Sequence, residues 1–83
     1  MSMDREQLRA VALNVLRGIA PEVEPAGIEP ATPLRQQVDL DSMDWLNFLI
    51  GLHQRLGVNI PEADYARLVT LDNVLDYLQA RLP

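Results

Sequence analysis

Apolar residues recur along this chain at helical spacing, in stretches separated by proline and glycine. Leu8, Val11, Ala12, Val15, Leu16 and Ile19 fall on one helical face. Asp4 stands where an N-cap belongs, with Gln7 three residues on as its capping-box partner, and Met3 and Leu8 occupy hydrophobic-staple positions. Gly18 offers a stop that Pro21 enforces, so the pattern predicts a first helix over about residues 4–18. Trp45, Leu49, Leu52 and Leu56 form a second stripe, flanked by Leu46 and Phe48, on a helix from about Ser42 to Leu56 with Gly57 as its C-cap. Asn59-Ile60-Pro61-Glu62 reads as a turn with proline near a helix start, and predicts a short helix over about 62–68. Thr70 then caps a last helix to about Arg81, whose apolar face is Leu71, Val74, Leu75, Leu78 and Leu82. No stretch alternates as a strand does. The chain reads as all-α, a small four-helix bundle with three main helices and one short one.

Residues 20–40 are different. Pro21, Pro25, Gly27, Pro30 and Pro33 exclude a continuous helix. Connections of this length are uncommon inside a compact domain unless they have a task. Val23, Ile28, Leu34, Val38 and Leu40 punctuate it, which predicts a loop pinned to the core that delivers the chain to a fixed place. The 83 residues suffice for a single domain, 1–83, with one modest core. With no cysteine in the sequence, packing alone must hold it together.

Charge narrows the partners. Twelve acidic residues face seven basic ones, all arginine, for a net −5. Such a surface repels phosphate backbones and anionic headgroups, and favours basic patches on other proteins, so neither nucleic acid nor a membrane surface is the expected partner. The polar, mixed-charge start lacks a signal peptide's pattern, and no apolar run nears the roughly 20 residues of a membrane span. A soluble, cytoplasmic, monomeric protein is expected.

Candidate catalytic groups fail on geometry. His53 is the single histidine. A Ser-His-Asp set would have to pair it with Ser2 or Ser42, and Ser42 lies three turns away on the same helix, roughly 16 Å. His53 is expected at a solvated helix flank. Asp39, Asp41 and Asp44 suggest a metal or a carboxylate pair. As a calcium loop the run has Met43 at the fifth position, Asp44 where glycine is required and Ile50 in place of the closing glutamate. As a glycosidase pair it lacks a domain large enough to hold a sugar. The simpler reading makes Asp41 the cap of the second helix and Asp44 a first-turn acid favoured by the helix dipole. No metal and no enzymatic activity are expected.

If Asp41 is the N-cap, Ser42 is the first helical residue, its hydroxyl exposed beside unpaired backbone N–H groups. That is a favourable seat for a phosphate ester. Asp41-Ser42-Met43-Asp44 resembles the Asp-Ser-Leu motif of acyl carrier proteins, with methionine for leucine. The similarity runs through Leu34 and Val38, along Leu46, Leu49, Leu52 and Leu56, and on through Ile60-Pro61-Glu62, Thr70 and Val74-Leu75-Asp76-Tyr77-Leu78. The resemblance implies a stand-alone carrier, in fatty-acid or polyketide and other secondary-metabolite synthesis. It implies that Ser42 bears 4'-phosphopantetheine, transferred from coenzyme A by a phosphopantetheinyl transferase, and that acyl groups ride on the arm as thioesters. Asp41, Met43, Asp44 and Ile50 would then meet partners: the transferase, an acyl-loading enzyme, and a ketosynthase or acyltransferase. Trp45, Leu46 and Leu49 would border a cavity for the acyl chain. Two departures stand out. Asp39 replaces a glycine frequent in the family, and Asn47, His53, Gln54 and Arg55 replace glutamates common on the second helix, which predicts weak docking on standard fatty-acid enzymes. The alternatives are an interaction module that kept the fold without the cofactor, and an aminoacyl or peptidyl carrier.

Overall fold

The computed structural model describes residues 3–82; Ser2, weighed above as a possible nucleophile, lies outside them. Four α-helices follow one another: α1 (Arg5–Ile19), the single turn α2 (Leu34–Gln37), α3 (Ser42–Leu56) and α4 (Leu71–Arg81). Two 3₁₀ segments, Pro25–Gly27 and Glu62–Arg67, complete the chain. The all-α bundle expected from the pattern is the fold observed. Among the described residues no helix is long and apolar enough to cross a membrane.

Each long helix begins with a reciprocal capping box. Asp4, Asp41 and Thr70 accept from the backbone N–H of Gln7, Asp44 and Asn73, whose side chains in turn accept from the cap residues' own N–H groups. These boxes satisfy two otherwise orphaned donors apiece and fix where the chain turns into each helix. The ends are less uniform. Gly57 closes α3 in the left-handed conformation, at φ 68°. Gly18, expected to stop α1, instead stays helical: the helix continues to Ile19, and Ala20 donates to the Leu16 carbonyl at 2.8 Å before Pro21 ends it. An ordinary φ at Gly18 means that nothing there uses glycine's freedom.

The core is built where the stripes meet. Leu8 and Leu16 of α1, Leu34 of α2, Phe48, Leu49 and Leu52 of α3, and Leu71, Val74 and Leu78 of α4 are fully buried. Leu13 and Tyr77 join the core from outside the predicted stripes, whereas Val11, Ile19, Trp45, Leu56 and Leu82 pack against it only in part.

The long connection is pinned as expected: Val23, Ile28, Leu34, Val38 and Leu40 are all buried. It is not devoid of helix, however. Pro25 opens one 3₁₀ turn and Pro33 is the N-cap of α2. Proline's fixed φ suits the first positions of a helix, so residues that forbid a long helix here nucleate short ones. Polar bonds hold the path. The Gln37 side-chain amide donates to the carbonyls of Glu29 (2.8 Å) and Thr32 (2.9 Å) and accepts from the Glu29 N–H (2.7 Å). Leu34 N–H donates to the Val69 carbonyl and Asp72 N–H to that of Pro30, both at 3.0 Å, tying the loop to the start of α4. The segment expected as a short helix over 62–68 is a 3₁₀ helix, Glu62–Arg67. Its i→i+3 bonds run from the Asp64 N–H to the Pro61 carbonyl at 2.9 Å and from the Leu68 N–H to the Tyr65 carbonyl at 3.1 Å, closing the segment at both ends.

Candidate functional site

The loop, α2 and the Asp41 cap together set down Ser42 as the first residue of α3, exposed to solvent. The Arg35 Nε bond to the Leu40 carbonyl, 3.3 Å, holds the approach. Asp41 Oδ1 accepts from the Asp44 N–H at 2.8 Å, and Asp44 Oδ2 accepts from the Asp41 N–H at 3.3 Å. Both carboxylates are thus spent on the helix start, with the charge of Asp44 also favoured by the dipole. Trp45 N–H is the first to enter the helical ladder, donating to the Asp41 carbonyl at 3.0 Å. Among the described residues, the N–H groups of Ser42 and Met43 find no acceptor. Two backbone donors and the positive end of a 15-residue helix therefore adjoin an accessible hydroxyl. A phosphate ester on Ser42 would meet those donors, and nothing covers the position.

The other residues singled out from sequence separate into two groups. Met43 and Ile50 are 63% and 41% exposed, large apolar side chains turned to water on the same helix. Leu49 is buried, Leu46 half-buried, and Trp45 half-buried with its ring centroid 5.2 Å from that of Phe48. These last three do not share one cavity. Leu49 and Ile50 line an open groove of about 450 Å³ with His53, Ile60 and Tyr65. Trp45 lines a second groove of about 380 Å³, with Pro33, Arg35 and Val69, on which Tyr65 also borders. Leu46 lines neither. Tyr65, in the 62–67 segment, is thus the wall common to both, and the sequence offered no periodic signal that would have singled it out.

His53 lies at the exposed flank expected of it, but it is not free of partners. Its Nδ1 is 2.8 Å from the Val58 carbonyl, just beyond the helix end. Asp39 is exposed and, with Glu22 and Glu24, borders a shallow depression in the loop.

Tyr77 joins the 62–67 segment to α4. Its hydroxyl donates to Asp64 Oδ2 at 2.6 Å, Arg81 pairs with the same oxygen at 3.0 Å, and the Arg81 guanidinium sits 4.0 Å from the Tyr77 ring centroid. The Tyr77 hydrogen bond, seconded by Arg81, holds the Asp64 carboxyl below its ordinary range, and burial pushes the Tyr77 phenol up.

Comparison with known proteins bears directly on this arrangement. The chain matches the family described as "Phosphopantetheine attachment site" over residues 7–78. It is 25% identical over 77 residues to an acyl carrier protein of Thermosynechococcus vestitus, covering 93% of this chain and 89% of that one. It is 30% identical over 79 residues to the meromycolate extension acyl carrier protein of Mycolicibacterium aurum, covering 95% of this chain and 80% of that one. Among solved structures, an acyl carrier protein from Enterococcus faecalis superimposes with a TM-score of 0.72 at 21% identity, covering 95% of this chain and 99% of that one, a likeness of fold. The family match spans nearly the whole bundle, with the exposed serine of α3 inside it, and the chain therefore belongs to the acyl carrier proteins, non-enzymatic proteins that bear a covalent phosphopantetheine.

Proposed function

We propose that Ser42 is the residue through which this chain carries phosphopantetheine, and that its cargo belongs to fatty-acid-type chain extension. One observation supports the attachment above all: Ser42 is an exposed hydroxyl at the first position of α3, beside two backbone N–H groups without an acceptor. When bound, the arm supplies a thiol at the end of a long flexible reach, the group to which acyl cargo is joined. The protein's own share is to anchor the ester, offer hydrogen-bond donors to its phosphate, and present a face to enzymes. That face is formed by Asp41, Met43, Asp44 and Ile50, and its occupants are the phosphopantetheinyl transferase, an acyl-loading enzyme, and a ketosynthase or acyltransferase. The fatty-acid assignment is supported by relatives whose names place them in meromycolate extension. The groove beside Leu49 and Ile50 is the proposed shelter for the acyl chain.

Incubation of the apo protein with coenzyme A and a broad-specificity transferase is expected to add the mass of one phosphopantetheinyl group, and Ser42→Ala to add none. A Ser42→Ala variant that labels as well as the parent would overturn the assignment. Trp45 adds a check on the shelter. Its half-buried ring faces the second groove, across Tyr65 from the first. Joining a medium-length acyl chain should alter Trp45 fluorescence relative to the unacylated form, and identical emission would remove Trp45 from any part in holding cargo.

A further inference from the structure

The groove between α3 and the 62–67 segment is apolar along Leu49, Ile50 and Ile60, yet two polar side chains, His53 and Asn59, also line it. A shelter for a plain hydrocarbon has no use for either. Covering them with an alkyl chain strips polar groups of water with nothing in return, an uncompensated cost.

The orientation of His53 is fixed. A carbonyl oxygen only accepts, so the 2.8 Å contact with Val58 requires that Nδ1 carry the proton and donate. In the neutral ring, Nε2 is then left with a lone pair and is an acceptor. The placement relative to Ser42 is fixed too. Eleven residues along an α-helix advance about 16 Å and three turns plus about 20°, so Ser42 and His53 lie on nearly one stripe of α3, with Leu49 between them. An arm that leaves Ser42 and follows the helix outside the groove sets the beginning of its acyl chain beside this histidine, at the groove's rim, from where the rest of the chain turns back into the groove.

We propose that His53 is a specificity-determining residue. It makes the groove favour an acyl chain hydroxylated near its point of attachment, at the third carbon, over a saturated chain of the same length. The chain's hydroxyl donates to His53 Nε2, and the alkyl remainder covers Leu49, Ile50 and Ile60. The inference rests on Ser42 as the attachment point and on this groove as the shelter.

The test loads the apo protein, through a transferase, with coenzyme A analogues bearing a non-hydrolysable octanoyl or 3-hydroxyoctanoyl group. Intact mass reports loading, methyl resonances of Leu49 and Ile50 report the sheltered population, and the ring nitrogens of His53 report its hydrogen bond. The hydroxylated chain should be sheltered about 2- to 10-fold more than octanoyl, the range set by one net hydrogen bond, with the Nε2 resonance shifted only by the hydroxylated chain. His53→Leu should abolish the preference. His53→Gln, which retains an acceptor and a donor for Val58, should keep part of it. Equal sheltering of the two chains in the parent, or an unchanged preference in His53→Leu, overturns the proposal while leaving attachment at Ser42 standing. Loading with neither chain sheltered overturns the groove's role and the proposal with it. Failure to gain mass at Ser42 defeats the attachment reading, and with it everything built on the arm.

Discussion

Gly51 of α3 and Gly18 of α1 show how differently one residue type is used in two helices that pack together. A Cβ placed on Gly51 would stand 2.6 Å from Val15 Cγ1, so α3 approaches α1 more closely there than any side chain would allow. Gly51→Ala gains helix propensity of about 1 kcal/mol but must displace a β-branched side chain of limited rotamer freedom. Overpacking costs typically about 1–3 kcal/mol, so a net loss of stability is expected by urea denaturation. Combining it with Val15→Ala should make the two effects non-additive, the second substitution relieving the first. Gly18→Ala has nothing within 4 Å of the new methyl and an ordinary helical φ, so it should stabilise by up to about 1 kcal/mol. At the proposed attachment site the contrast is between cap and hydroxyl. Ser42→Ala should leave the unfolding midpoint nearly unchanged, because the side chain is exposed, whereas Asp41→Ala should cost about 0.5–2 kcal/mol through loss of the Asp44 bond.

The elements differ in how they are held. α1, α3 and α4 are locked by capping boxes and by their shared core, while Glu62–Arg67 packs Tyr65 against that core and is tied to α4 by a polar clasp, Asp64 with Tyr77 and Arg81. Tyr77→Phe should lower the melting temperature by a few degrees and raise amide exchange over 62–68 well before that of α3. Uniform exchange across the chain would show that the segment is held otherwise. The clasp also sets a pH signature. The Asp64 carboxyl is depressed, so its stabilising contribution is present above about pH 4 and is lost as pH falls through its lowered folded-state value. The Tyr77 phenol is raised, so its contribution holds below about pH 10 and is lost as pH rises further. Tyr77→Phe should remove the alkaline loss and blunt the acid one, seen as midpoints against pH. Three of the elements were legible in sequence because caps and stripes are local: Asp41, Thr70 and Gly57 announce their roles within four residues. The clasp was not. Asp64 and Tyr77 lie in different elements and neither fits a stripe, so only the fold reveals that Tyr77 is buried with its hydroxyl engaged. Likewise, the Nδ1 bond of His53 depends on where the chain turns after Gly57, which no periodicity encodes.

For the molecule as a whole, what matters is where the net charge of −5 is displayed. Between α1 and α4, Asp72 and Asp76 are tied to Arg5, at 3.0 and 2.7 Å. Asp39, Asp41 and Asp44 lie within three residues of Ser42, the proposed attachment point, with Glu22 and Glu24 bordering the same loop surface as Asp39. Along α3 itself, Asn47, His53, Gln54 and Arg55 are exposed, with Met43 and Ile50 as apolar side chains among them. The proposed attachment at Ser42 rests in the sequence on a cap, a serine and a run of family-like positions, and in the fold on an exposed hydroxyl at the start of α3. The expectation about partners rests only on a departure from the glutamates that the family resemblance leads one to expect on α3, since a partner's surface leaves no imprint on the carrier's own periodicity. The arrangement predicts weak binding to a ketosynthase adapted to a glutamate-rich helix, with a shallow salt dependence, because few charges would be matched along α3. Restoring acids with Asn47→Glu, Gln54→Glu and Arg55→Glu should steepen that dependence and tighten binding by about tenfold or more at low salt, without altering transfer of the arm to Ser42. Titrations at several ionic strengths decide it. Tight, strongly salt-sensitive binding by the parent would mean that the acids around Asp41 suffice for such a partner and that the face of α3 bearing Asn47, Gln54 and Arg55 carries no selectivity.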